Sequence, residues 1–427
     1  MRVIYTVQEL IDMGYIEPPI DGNHGSLHPK TSDYLSKGVP FVMVNNMIDG
    51  TVDLENCAFI SEQQARSLRK GFAHPGDVLL SHKATIGRTA IVPEKYETIV
   101  LTPQITYYRV KKNINRRYLK YYFDSPKFQS LFLNWAGSGS TRAYLGILAQ
   151  RKLPIVLPNL EEQNRIADIL YSLDRKIEEN KKINKNLEEQ ASLLFKSWFV
   201  DFEPFNEALV NTPAGIATPA SLKMLQIADI PHTLETGKRP KGGAVSEGVP
   251  SIGAENVKKL GEVNFSSAKY IPEDFASKMK TGAVNGYELM LYKDGGKPGT
   301  FTPHFSMFGE DFPYKRFFIN EHVFKLDFYN HGFNEFAYFY MQTDYPYHWL
   351  ANNGGKAAVP GINQQDVNSI WIFSPDNPKV KEFCNWVQPI FTTIFTNCSQ
   401  NLKLANLRDS LLPKLISGEL DVSDFDI

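Results

Sequence analysis

At 427 residues the chain exceeds one ordinary hydrophobic core, so two domains of about 150 residues plus connecting elements are expected. An apolar share of 42% with 22% charged residues excludes a disordered chain, and a net charge of −1 excludes a protein that coats nucleic acid through bulk electrostatics. Cys57, Cys384 and Cys398 show no paired spacing, and no apolar run approaches the roughly 20 residues that cross a bilayer; free thiols without a zinc site or disulfide scaffold, no membrane span and a cytoplasmic protein are therefore expected.

In chain order, residues 1–158 read as one α+β globule. A Gly/Pro/Lys loop, Gly25 to Lys30, precedes Gly38-Val39-Pro40-Phe41-Val42-Met43-Val44-Asn45-Asn46. The run Gly76-Asp77-Val78-Leu79-Leu80 leads to a glycine turn at Gly87. A helical stretch follows from Asn115 to Trp135, then a small-residue loop, Gly137 to Arg142, and a strand from Leu153 to Pro158. Residues 159–200 predict a long helix capped by Asn159 with Glu161 and Glu162 in its first turn. A linker spans 201–222, with a Pro/Ala/Thr-rich stretch from Glu203 to Pro219.

Residues 223–376 repeat the first globule. Gly248-Val249-Pro250 to Asn256 returns 210 positions after Gly38 to Asn46, preceded again by a basic loop, Gly237 to Lys241. Tyr287-Glu288-Leu289-Met290-Leu291 up to Gly295-Gly296 repeats the acidic residue, strand and turn. Asn353 to Lys356 before Ile370-Trp371-Ile372-Phe373 repeats the small-residue loop and strand. A second long helix over 377–418 stops at Gly418, before an acidic tail over 419–427.

Both long segments carry heptad seams. Ile166, Leu170, Leu173, Ile177, Asn180, Asn184, Leu187, Ala191 and Leu194 alternate spacings of 4 and 3, and Phe383, Val387, Ile390, Ile394, Asn397, Asn401, Leu404, Arg408 and Leu411 repeat them 217 positions later. A seam asparagine costs stability but fixes register and partner. Asn180, Asn184, Asn397 and Asn401 therefore predict that the two helices pack on each other. If the halves are related by a two-fold axis, the packing is antiparallel, with Asn180 facing Asn401 and Asn184 facing Asn397. Each seam, Ile166 to Leu194 and Phe383 to Leu411, spans 29 residues, about 40 Å at ~1.5 Å per residue, a length comparable to one DNA turn.

The duplication, the stretch Leu160-Glu161-Glu162-Gln163-Asn164-Arg165-Ile166, and the ending Leu411-Leu412-Pro413-Lys414-Leu415-Ile416-Ser417-Gly418 together resemble the specificity subunit of type I restriction-modification systems. The resemblance covers essentially the whole chain. It implies two pseudo-two-fold-related α+β target recognition domains separated by a pair of long antiparallel coiled-coil helices. It also implies a non-catalytic subunit that reads a bipartite site in double-stranded DNA across an unread spacer. The implied partners are two methyltransferase subunits and motor-nuclease subunits. No cofactor is implied on this chain; S-adenosylmethionine is expected on the methyltransferase. The second helix begins Asn377-Pro378-Lys379-Val380-Lys381-Glu382 without the Glu-Glu-Gln triplet, so the two docking surfaces are not expected to be identical.

DNA contacts call for hydrogen-bonding and cationic side chains on loops. In the first globule Lys30, Asn45, Asn46, His82, Lys83, Arg88, Ser140, Thr141 and Arg142 qualify; in the second, Lys238, Arg239, Lys241, Asn256, Lys293, Lys297, Lys315, Arg316 and Lys356. The enzyme class lacks support. Glu17-Pro18-Pro19-Ile20 fails as an adenine-methyltransferase tetrapeptide, Gly237-Lys238, Gly296-Lys297 and Gly355-Lys356 fail as phosphate loops, and His24 and His28 lack a metal-binding frame. The remaining alternative is a two-domain scaffold that binds proteins rather than DNA.

Overall fold

The computed structural model describes residues 2–25, 28–137, 143–265, 268–356 and 359–422. Its contacts divide the chain into two units, 1–175 with 404–427 and 176–403. Each long helix contributes to both.

The first unit holds a six-stranded sheet, in the order Ile20–Asp21, Ile105–Tyr108, Val78–Ser81, Thr89–Ile91, Thr51–Val52 and Met47–Ile48. Its second sheet runs Ala58–Ile60, Val39–Val42, Ile99–Leu101 and Phe72–Ala73, with the middle pair parallel. In the second unit the same order recurs in shorter form: Thr233–Thr236, Val323–Asp327, Leu289–Tyr292 and Phe305–Met307 in one sheet, Lys269–Ile271, Val249–Ile252 and Phe318–Ile319 in the other. The parallel pair is again Val249–Ile252 with Phe318–Ile319. The central strands Val78–Ser81, Ile99–Leu101, Ile105–Tyr108, Leu289–Tyr292 and Val323–Asp327 are buried along nearly their whole length, whereas Thr233–Thr236 and Lys269–Ile271 are partly exposed.

Glycines show how closely the repeat is kept. A Cβ on Gly22 would overlap the Leu101 carbonyl, and one on Gly237 would overlap the Ile319 carbonyl; Gly71 and Gly282 in turn press on Gly22 and Gly237. At these two crossings backbone meets backbone, and only glycine leaves room. The acidic residue ahead of each central strand is buried too. Asp77 is gripped by Arg109 through contacts of 2.9 and 2.8 Å, while Glu288 accepts from the backbone N–H of Asn285 and Gly286 and lies 3.5 Å from the Lys325 ammonium. Arg109 and Lys325 occupy different register positions on their strands, so the same buried charge is neutralised by different means.

The first long helix, Leu160–Phe199, starts where the Asn159 side chain accepts from Glu162 N–H at 2.8 Å. Gln163 is fully enclosed; it accepts from Asn115 N–H and donates to the carbonyls of Asn113 and Pro158. Its counterpart in the second helix is Val380, wholly buried in apolar contacts. The missing triplet thus includes a position whose role is packing. The second helix, Pro378–Ser417, begins with proline after Asn377, whose side chain accepts from Lys379 N–H, and ends at Gly418 with φ +83°.

Within the second unit, the helices pack antiparallel: Asn180 donates to Asn401 at 2.9 Å and to Gln400 at 2.7 Å, while Asn397 donates to Asn184 at 2.8 Å. Ascending numbers on one helix meet descending numbers on the other. The Asn180 carbonyl oxygen is buried without a partner among the described residues, a cost that an apolar pair would remove. Replacing Asn180 and Asn401 together by Leu is therefore expected to raise stability by about 1 kcal/mol while loosening register. Hydrogen exchange over residues 176–199 and 378–403 checks this, with a higher melting temperature accompanied by faster amide exchange as the expected pair of results. In the first unit the seam residue Arg408 finds Asp174 at 2.7 Å, and Tyr121 donates to the other oxygen of Asp174 at 2.6 Å. This lashes the first globule to both helices.

The stretch 203–219 contains a hairpin, Leu209–Asn211 with Ala217–Pro219, where composition alone suggested an unstructured link. Among the described residues no helix is long and apolar enough to cross a membrane.

Candidate nucleic-acid interface

The strand ends and turns of each unit converge on one loop junction. In the first unit His82 N–H donates to the Gln104 carbonyl, Leu145 N–H donates to the His82 carbonyl, and Lys83 bridges to Tyr144. The second unit repeats each contact: Lys293 N–H to His322 carbonyl, Ile362 N–H to Lys293 carbonyl, and Asp294 bridged to Gly361. With Gly22 matching Gly237, and with Leu101 N–H donating to the Gly71 carbonyl as Ile319 N–H does to that of Gly282, the register is fixed on every strand. His24 then corresponds to Arg239, Gln104 to His322, His82 to Lys293 and Lys83 to Asp294.

In the first junction His24 Nε2 lies 2.8 Å from Asp21, which also pairs with Lys70. Burial works against ionisation of Asp21, but hydrogen bonds and charge from Lys70 and His24 outweigh it and hold the carboxyl below its ordinary range. Lys83 is exposed, with its ammonium 5.9 Å from the centre of the half-exposed Tyr144 ring. A cation beside an accessible aromatic face suits a stacked base or a nearby phosphate.

In the second junction His322 lies between two carboxylates. Its Nδ1 meets Asp294, and its Nε2 lies 3.4 Å from Glu321, which is 3.7 Å from the Arg239 guanidinium. The Lys293 ammonium donates to the Glu321 carbonyl at 2.9 Å and sits 3.3 Å from Asp294.

The sequence candidates divide accordingly. Lys238, Arg239 and Lys241 are exposed on the loop that enters the second junction, and Lys293, half-buried, underlies it. Lys297 lies in the turn after it, and Lys356, exposed, bonds Asn353 in the facing loop. Lys83 lies at the first junction. Lys30 and Asn45 are exposed on neighbouring turns, while Arg88, also exposed, reaches the Val44 carbonyl at 3.2 Å. Lys315 and Arg316 are exposed on a separate turn, where Arg316 pairs with Glu273. Ser140, Thr141 and Arg142 lie outside the described residues.

Three candidates are corrected by burial. Asn46 accepts from Met43 N–H, and Asn256 accepts from Asn264 N–H; both staple their own loops at equivalent places. His82 is wholly enclosed, with Nδ1 on the Leu145 carbonyl, and burial lowers its pKa so that it is neutral at pH 7. None of the three presents a side chain to an incoming duplex. The residues that sequence reasoning passed over are His24, Gln104, Tyr144, Asp294, Glu321 and His322. Extending the glycine-anchored repeat to its loops identifies them.

Two equivalent α+β units and a pair of long antiparallel helices define an internally duplicated protein. Comparison with known proteins shows what it is similar to. Residues 27–189 match the model of the type I restriction modification DNA specificity domain. The chain is 29% identical over 377 residues to the type I restriction enzyme MjaIX specificity subunit of Methanocaldococcus jannaschii, covering 86% of this chain and 82% of that one. It is 23% identical over 445 residues to the HindI specificity subunit of Haemophilus influenzae, covering 86% and 90%. Its fold matches that of the type I restriction-modification S subunit from M. genitalium with a TM-score of 0.56 at 13% identity, over 97% of this chain and 96% of the other. The chain is thus similar over most of its length to type I restriction enzyme specificity subunits, and residues 27–189 match the DNA specificity domain of that family.

Proposed function

We propose that the chain selects a DNA sequence in two parts, one half-site for each unit, with the bases between them unread, and that it presents this site to methyltransferase subunits docked on it. The reading is carried by one observation: the two units keep the same backbone junction, down to its glycine crossings, while the exposed side chains on it differ. A duplicated reader of one palindrome would have no need of that difference. The net charge of −1 assigns much of the phosphate grip to the partners, leaving base selection to this chain.

The test is to co-produce the chain with methyltransferase subunits in a host lacking adenine methylation and to map modified adenines across the genome. A motif of two specified segments separated by a fixed run of unspecified bases is the expected result. Modification without a two-part motif would favour a scaffold that binds proteins rather than DNA.

A further inference from the structure

We propose that Arg239 and His322 read a guanine in the half-site of the second unit, with Glu321 and Asp294 as the residues that position them. This deepens the DNA-reading function above and rests on it.

The array has the wrong composition for a phosphate site. Arg239, His322 and Lys293 are matched by Asp294 and Glu321 within 3.7 Å, so a phosphate entering it would meet two carboxylates. A base edge carries no net charge and tolerates them. The exposures are graded as a base reader requires: the Arg239 side chain is 64% exposed and that of His322 44%, whereas Asp294 and Glu321 are 27% and 30% exposed. The side chains that carry N–H donors are therefore the more accessible members of the array, with both ring nitrogens of His322 and one guanidinium nitrogen of Arg239 facing the carboxylates. The guanidinium N–H groups of Arg239 that do not face Glu321 match the O6 and N7 acceptors that guanine presents in the major groove, with the partly exposed His322 ring beside them.

The side-chain network does not recur with the glycine crossings that recur around it. Instead, the first unit carries His24, Gln104 and Lys83 where the second carries Arg239, His322 and Asp294, and Pro103 in place of Glu321. The backbone platform is shared, and the side chains on it have been exchanged. Partly exposed ion pairs of this kind contribute little to folding, so substitutions here leave the unit folded.

The experiment uses the full chain in complex with methyltransferase subunits and reads the modified-adenine motif for Arg239→Ala, His322→Ala and Glu321→Gln. The wild-type motif is expected to contain a guanine in one half-site. Arg239→Ala and His322→Ala are expected to relax discrimination at that position by about tenfold or more, and Glu321→Gln to relax the same position to a smaller degree. The other half-site is expected to be read as before, which a general loss of structure would not allow. A motif unchanged in all three variants, a loss spread evenly over both half-sites, or a half-site containing no guanine would overturn the assignment. A wild-type complex that yields no two-part motif would instead overturn the function on which it rests.

Discussion

Phe383→Ala is expected to destabilise the second unit by about 3–5 kcal/mol, the cost of removing a buried ring and leaving a cavity. Phe383 is wholly enclosed. Its ring centre lies 5.5 Å from those of Phe195 and Phe199 on the first long helix, and 5.9 and 6.2 Å from Phe336 and Phe339 on the helix His331–Tyr340. It therefore fills the space where three helices meet, and no neighbour is free to collapse into it. Urea denaturation followed by tryptophan fluorescence is a direct measurement, because Trp198 and Trp386 both lie 6.4 Å from Phe383. A change under about 1 kcal/mol would show that the three helices do not depend on this contact.

Glu335→Gln is expected to have the opposite sign and a dependence on pH. The Glu335 carboxylate is fully buried, and burial raises its pKa from 4.5 to about 7. His331 Nδ1 lies 2.5 Å from one of its oxygens and works against that rise. The Tyr287 ring lies tilted against His331, and the buried thiol of Cys384, itself raised to about 12, sits near the same carboxylate. The folded chain thus holds the Glu335 proton more tightly than the unfolded chain does. The stability this gives is fully present below about pH 4.5 and is lost as pH rises through about 7, a loss of roughly 3 kcal/mol. Glutamine removes the titration, so the variant is expected to melt above the parent at pH 8 and to lose the part of the pH slope between about 4.5 and 7. Parallel pH profiles for the two proteins would place the proton elsewhere.

The long helices were the most legible part of the sequence, since a seam such as Ile166, Leu170, Leu173 and Ile177 is written in spacing alone. Their antiparallel packing followed from the asparagine layers once the chain was read as duplicated. Strand order was not legible, because strands of two to five residues leave too little pattern to say which pairs with which. The candidate interface was legible as loops but not as residues. Asn46, Asn256 and His82 lie in polar turns, and nothing in their immediate sequence shows that tertiary contacts enclose them. Glu321 and Asp294 are acceptors, whereas DNA contacts call for donors and cations, so neither stands out in the sequence. The hairpin at Leu209–Asn211 went unread because its proline and alanine content suggested a link.

One architecture that occurs twice and reads two different half-sites would make the units interchangeable. The most direct test of this replaces residues 223–376 with the first globule, residues 1–158, in the full chain, and maps the adenines modified by the resulting complex. The expected result is a motif in which both segments are the half-site of the first unit. A modified motif that still carries the second half-site would contradict it.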